Sequence, residues 1–190
     1  MIWTCDTEIT KVINSALIVD AVKTYSLPRE PFRFYFNVLK ENGVSYKKVL
    51  KQSIKYMRLL NTCLVDIGST YNTEARKTYR GIHKSIMQNV EPNKTFRIIN
   101  WVWSSESKEI AKIFQNQGDE NIMVKFAIPE YCFNAGKINE FGKSKYPEEK
   151  ETLLPPYTAV RMKKRKKDYI FVEVAQDNKE LNFDMDVTNS

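Results

Sequence analysis

Residues 95–128, TFRIINWVWSSESKEIAKIFQNQGDENIMVKFAI, decide the fold class. A β-rich run, Thr95–Trp103, reads as one strand and ends in a hydroxyl cluster. Ser107 then stands as an N-cap before KEIAKIF, in which Ile110, Ala111 and Phe114 recur at helical spacing. Asn121–Ile128 (NIMVKFAI) returns to a strand pattern. Upstream, Lys77–Ile82 (KTYRGI) is a further short strand; downstream come Thr152–Leu154, the pair Pro155-Pro156, and a strand from Tyr157 to Met162. Lys163–Lys167 (KKRKK) with Asp168 reads as a charged turn, and Tyr169–Val174 alternates as the returning strand. The pattern predicts an antiparallel or mixed sheet region. From about Pro129 to Lys150 runs a long loop holding the turn formers Asn134, Gly136, Asn139, Gly142 and Pro147. Loops of that length inside compact domains tend to carry function.

The residues before this region read as helical. Asp6 and Thr7 are N-cap candidates for a helix carrying Ile9, Val12, Ile13, Ala16, Leu17 and Val19. Ser26–Pro31 (SLPREP) breaks it, and a short helix follows through Phe32–Leu39. After Asn42-Gly43, the residues Val44, Val49, Leu50, Ile54, Met57, Leu60 and Leu64 share one helix face, with Lys47, Lys48, Lys51 and Lys55 mostly on the other. The expected organisation is a helical part over 1–70, a sheet-rich core over 71–178 and an acidic tail over 179–190.

Composition excludes several classes. The 190 residues are 42% hydrophobic and 28% charged, which is an ordinary globular balance and not that of a disordered chain. Cys5, Cys63 and Cys132 are odd in number and widely spaced, so they make no disulfide framework. His83 is the only histidine, and with no CxxC pair a zinc site is not expected. A Ser-His-Asp or Cys-His catalyst would have to use His83, which reads more simply as a residue ending a strand. No apolar run is long enough to span a membrane, and MIWTCDTEITKV has acidic residues where a signal peptide starts basic. The net charge of +7 favours anionic partners without choosing among them.

Three stretches combine polar chemistry with strand ends. In Thr78-Tyr79-Arg80-Gly81 an arginine sits inside a short strand, where burial is costly unless the guanidinium is paired. Its planar fork suits a phosphate or carboxylate, and Gly81 leaves room for a close approach. In Trp101–Ser107 (WVWSSES) two indoles precede hydroxyls that either orient a ligand or cap a helix. In Tyr146–Pro156 (YPEEKETLLPP) Glu149 and Glu151 lie two apart at a strand entry; in extended chain they would share a face about 7 Å apart. Paired carboxylates at that spacing can divide labour at a reacting sugar carbon, though an acidic solvated loop end gives the same pattern.

Taken in order, Tyr79-Arg80-Gly81, then WVWSSES with Ala111 and Phe114 beyond it, then YPEEKETLLPP, the chain resembles the mono-ADP-ribosyltransferases over roughly residues 75–175. More narrowly, it resembles their Arg-Ser-Glu class of toxins and cell-surface enzymes. The resemblance implies an α+β fold of two roughly perpendicular antiparallel β-sheets around an NAD cleft, with helices on the N-terminal side. It implies a catalytic set of Arg80, Ser105, Glu149 and Glu151. Tyr79, Arg80, Gly81, Trp103, Ser104, Ser105 and Ser107 would line the NAD site, and Tyr146 would help dock the target protein. In this reading Glu151 favours charge developing at the ribose, Ser105 holds Glu151, and Glu149 serves an arginine acceptor. At Glu106 the sequence departs from the family's pattern, which usually has Thr or another small residue there.

The implied activity is transfer of ADP-ribose from NAD, a co-substrate, to a protein side chain, with arginine the favoured acceptor and no metal required. The expected setting is a monomeric secreted effector or toxin acting in a host cell, with a cytoplasmic enzyme as the alternative. Two other functions fit parts of the sequence: an NAD glycohydrolase of the same fold, and a basic nucleic-acid-binding module using KKRKK.

Overall fold

A computed structural model describes residues 8–71, 73–83, 90–115, 121–138 and 147–177. Asp6, Thr7, Asn139, Gly142, Tyr146 and the tail 179–190 lie outside the described residues. The chain divides into two compact units, Met1–Thr62 and Cys63–Ser190.

The first unit is helical. Helix α1 (Glu8–Thr24) buries Ile13 and nearly every position from Ser15 to Val22, so it is apolar around most of its circumference. After a 3-10 turn at Glu30–Phe32, α2 (Arg33–Glu41) packs on α1. Asn42-Gly43 ends α2 by a mechanism the sequence advertises. Gly43 sits at φ +62, its N–H donates to the Lys40 carbonyl, and the Val44 N–H donates to Leu39, each at 3.0 Å. That is a Schellman closure, which needs a left-handed residue just past the helix. Helix α3 (Tyr46–Tyr71) starts here and runs on into the second unit.

In the second unit the strands are β1 (Arg76–His83), β2 (Thr95–Ile98), β3 (Val102–Ser105), β4 (Asn121–Ile128), β5 (Gly136–Lys137), β6 (Glu151–Leu154), β7 (Thr158–Arg165) and β8 (Tyr169–Val174), with α4 (Lys108–Gln115) between β3 and β4. They form one hydrogen-bonded series, β2-β7-β8-β4-β1-β3-β6-β5. One pleat face carries the core: Ile122, Val124, Phe126 and Ile128 of β4, Val160 and Met162 of β7, and Ile170, Val172 and Val174 of β8. Where the sequence suggested two sheets, the ladder is a single series with a run of five strands and a run of three. The runs join where β1 meets β3 at a single residue pair, Tyr79–Ser105.

The architecture differs from expectation in several further details. The run Thr95–Trp103 is two strands. It bends at Ile99–Trp101, so that β2 pairs with β7 while β3 pairs with β6 and β1, far along the series. The sheet is not purely antiparallel. β4 and β8 run parallel, because the long connection between them lets the chain return in its original direction. The KKRKK run is only half turn: Lys163, Lys164 and Arg165 belong to β7, which bulges between Met162 and Lys164, and Lys166–Asp168 make the connection. Tyr157 precedes its strand in left-handed backbone, φ +63, and the long loop contains the short strand β5. No helix among the described residues is long and apolar enough to cross a membrane.

Candidate active site

The pairing register assembles the site. Tyr79 on β1 lies opposite Ser105 on β3, and Ser105 lies opposite Glu151 on β6. Cross-strand partners share a pleat face, so Tyr79, Ser105 and Glu151 form a row across three strands. Two strand spacings make that row about 10 Å wide, less than the length of a dinucleotide. Glu151 is 5% exposed and Ser105 6% exposed. Trp103 and Leu153, two residues along their strands, extend the same face and are buried. Gly81 stands two residues from Tyr79 on that face.

Glu149 and Glu151 are not joined by extended chain. Pro147–Glu149 is a 3-10 turn, and Lys150 takes a left-handed conformation, φ +43, before β6 begins at Glu151. The prolyl start and the turn close the backbone on itself, with the Lys150 N–H donating to Pro147 at 3.3 Å. The two carboxylates still sense each other. Burial first, then the charges of Glu151 and Glu148, push the Glu149 carboxyl above its ordinary range.

Ser105 holds this turn by its backbone. Its hydroxyl donates to the Glu149 carbonyl and accepts the Ser107 N–H at 2.9 Å. The expectation that Ser105 holds the Glu151 side chain thus takes another form: the hydroxyl proton fixes the turn from which both glutamates project. Ser107 caps α4 as its sequence position predicts, accepting the Ile110 N–H at 3.3 Å. Ser104 points to the opposite face, donates to Thr78 Oγ1 at 2.8 Å, and is buried. Its hydroxyl ties β3 to β1 inside the core.

Arg80 shares a pleat face with Arg76 and Thr78. The Glu106 N–H donates to the Lys150 carbonyl at 3.3 Å. Alternate residues of an antiparallel strand bond the same neighbour, so Ser104 and Val102 bond β6 while the Trp103 carbonyl faces β1. The β1–β3 ladder does not continue to meet that carbonyl. Arg80 Nη1 donates to it instead, at 2.6 Å. The guanidinium is half-buried at the place where two strands part; by the pleat it starts from the face opposite the Tyr79–Ser105–Glu151 row, and its bond to Trp103 holds it at the strand edge with further N–H groups left for an anion.

Sequence reasoning missed Arg76. Its side chain is 8% exposed and its Nε lies 3.8 Å from Glu106 Oε1. Burial lowers its pKa from the ordinary value, while the Glu106 carboxylate and the Cys132 thiol act the other way. Two signals could have found it: its place four residues before Arg80 on one strand face, and the acidic Glu106 inside a hydroxyl cluster. Tyr146 lies outside the described residues, as does the side chain of His83.

The row of tyrosine, serine and glutamate, beside a strand-borne arginine and a paired-carboxylate turn, has the parts of an enzyme that moves a glycosyl group from a dinucleotide. Residues 19–182 match the family described as NAD:arginine ADP-ribosyltransferase, and the chain belongs to that family. It is an NAD-dependent mono-ADP-ribosyltransferase. Among solved structures it is similar to C3stau2 from S. aureus with NAD, at 14% identity over 72% of this chain and 74% of that one, with a TM-score of 0.52. Vis toxin from Vibrio splendidus matches 88% of this chain and 67% of its own at 17% identity, TM-score 0.46. C3larvin toxin from Paenibacillus larvae matches 83% of this chain and 93% of its own at 20% identity, TM-score 0.47. The first of these likenesses shows that the chain shares the fold of C3stau2. No curated protein sequence matches the chain.

Proposed function

We propose that the chain transfers ADP-ribose from NAD to the side chain of an arginine in a protein, using Arg80, Ser105, Glu149 and Glu151. NAD supplies the ADP-ribosyl group on a glycosidic C–N bond whose cleavage leaves positive charge on the ribose. Glu151, buried in the row beside Ser105, would hydrogen-bond a ribose hydroxyl and favour that charge more than the ground state, which is what catalysis requires. Ser105 fixes the turn that carries both glutamates. Arg80, anchored through one nitrogen to Trp103, keeps charge-assisted donors for the diphosphate. Glu149 has a raised affinity for a proton, which suits a base that accepts one from the acceptor nitrogen. A cationic arginine also complements the negative group of Glu148, Glu149 and Glu151. The reading extends to a catalytic core over 71–178 and to a secreted effector that meets its target in a host cell.

The observation that carries this reading is the cross-strand row of Tyr79, Ser105 and Glu151, with Arg80 next to Tyr79 on β1 and Glu149 in the turn that leads into Glu151. The test is incubation with labelled NAD and a cell lysate, followed by mass spectrometry of the modified side chain. ADP-ribose on arginine is the expected result. Label released only as free ADP-ribose would make the protein a glycohydrolase, and label on another side chain would remove the acceptor assignment.

A further inference from the structure

We infer that Arg76 and Glu106 are positioning residues for the reaction: their ion pair fixes the Glu149–Lys150–Glu151 turn against the strand that carries Arg80. The inference rests on the functional reading above. β1 and β3 share one residue pair, Tyr79–Ser105, so little backbone bonding sets the place of β3 and β6 relative to β1. Side chains take over, and they come from alternate residues of one β1 face. Arg80 bonds the Trp103 carbonyl at 2.6 Å, Thr78 accepts from Ser104 at 2.8 Å, and Arg76 meets Glu106 at 3.8 Å. The last contact lies nearest the glutamates. The backbone N–H of Glu106 holds the Lys150 carbonyl, and Lys150 is the left-handed residue between Glu149 and Glu151. A chain of contacts therefore runs from the start of β1 through Glu106 to the turn. With the Arg76 side chain 8% exposed and that of Glu106 29%, the pair is partly shielded from water, so salt screens it less than a surface pair.

Positioning and stability are separable. Removing one partner weakens the balance of a buried charge and threatens folding, whereas replacing both with apolar side chains of similar length tends to keep the fold. The experiment compares wild type, Glu106→Gln, Glu106→Asp and the double variant Arg76→Met with Glu106→Met. For each, kcat and KM for NAD are measured alongside thermal melting. A displaced carboxylate costs rate through misalignment, so the double variant is expected to melt near the wild-type temperature. Its kcat should fall at least about tenfold, with KM for NAD within about twofold. Glu106→Asp, which keeps the charge on a shorter arm, should fall between. A folded double variant with wild-type kcat would overturn the inference, and so would a rate loss that vanishes on lowering the assay temperature below the variant's melting onset. If the wild type itself transfers no ADP-ribose, the functional reading fails first, and the two failures are told apart by that control.

Discussion

Glu149 and Glu151 are two residues apart and are asked to do different things. Glu151 is buried at the start of β6 and would act on charge that exists only in the transition state. Glu151→Gln should therefore lower kcat by about a hundredfold or more while changing KM for NAD little, as read from initial rates. Glu149→Gln should abolish transfer to protein and leave residual NAD hydrolysis. The raised Glu149 pKa adds a pH dependence whose sign is fixed. Burial is the main cause and the charges of Glu151 and Glu148 add to it, so the carboxyl ionises only above the usual carboxylate range. The acid limb of the transfer rate should lie above that range, and Glu148→Gln, which removes one like charge, should move it to lower pH. The folded state holds this proton more tightly than the unfolded state. Its contribution to stability is therefore complete at acid pH and lost as pH rises through the folded value. Glu149→Gln should accordingly gain in melting temperature relative to wild type as the buffer goes from acid to neutral.

At the scale of elements, much of the architecture is written locally. Helical spacing in α1 and α3, alternation in β4 and β8, and Ser107 ahead of KEIAKIF are short-range patterns, and each produces the element it suggests. The misreadings concern neighbours distant in sequence. Nothing in TFRIINWVW says that its two ends pair with β7 and β6 respectively, and nothing in YPEEKE announces a left-handed Lys150. Gly136 shows how a distant contact sets a local choice. A Cβ there would collide with Leu64 Cδ2, because the Leu64 side chain sits on the β5 backbone and is buried. Gly136→Ala should cost about 1–3 kcal/mol of stability by overpacking. Combining it with Leu64→Ala should cost less than the two single changes added together, a coupling that denaturant unfolding of the four proteins would measure. Simple additivity would show that Leu64 yields freely.

For the whole molecule, the candidate site was legible as a list and not as a geometry. Arg80, Ser105, Glu149 and Glu151 could be named because residue types in fixed order survive in a sequence. Their joining through the Tyr79–Ser105 pair could not, since register is decided by packing over the entire sheet. Arg76 stayed hidden because its partner lies thirty residues away, at Glu106. The basic hairpin that suggested nucleic acid is partly engaged within the protein. Lys163 lies 3.4 Å from Glu173, and Arg165 donates to the Val90 carbonyl at 3.0 Å. The single-pair junction has a measurable consequence for opening motions. Amides of β3 and β6 should exchange with solvent sooner than those of β4 and β8, which are flanked by long ladders. Hydrogen exchange read by mass spectrometry should separate the two groups, and uniform protection would argue against the junction as the weak line.

The parallel partnership of β4 with β8 bears on how the enzyme comes into being. Residues 129–168 separate the two strands, so a ribosome finishes β4 well before its neighbour exists. Until Tyr169–Val174 emerges, β4 waits with one flank bare and Val124 and Phe126 short of cover. Strands β1, β3 and β6, which carry Tyr79, Ser105 and Glu151, have all been translated by then, so the row of the site precedes the strand that completes the cover of β4.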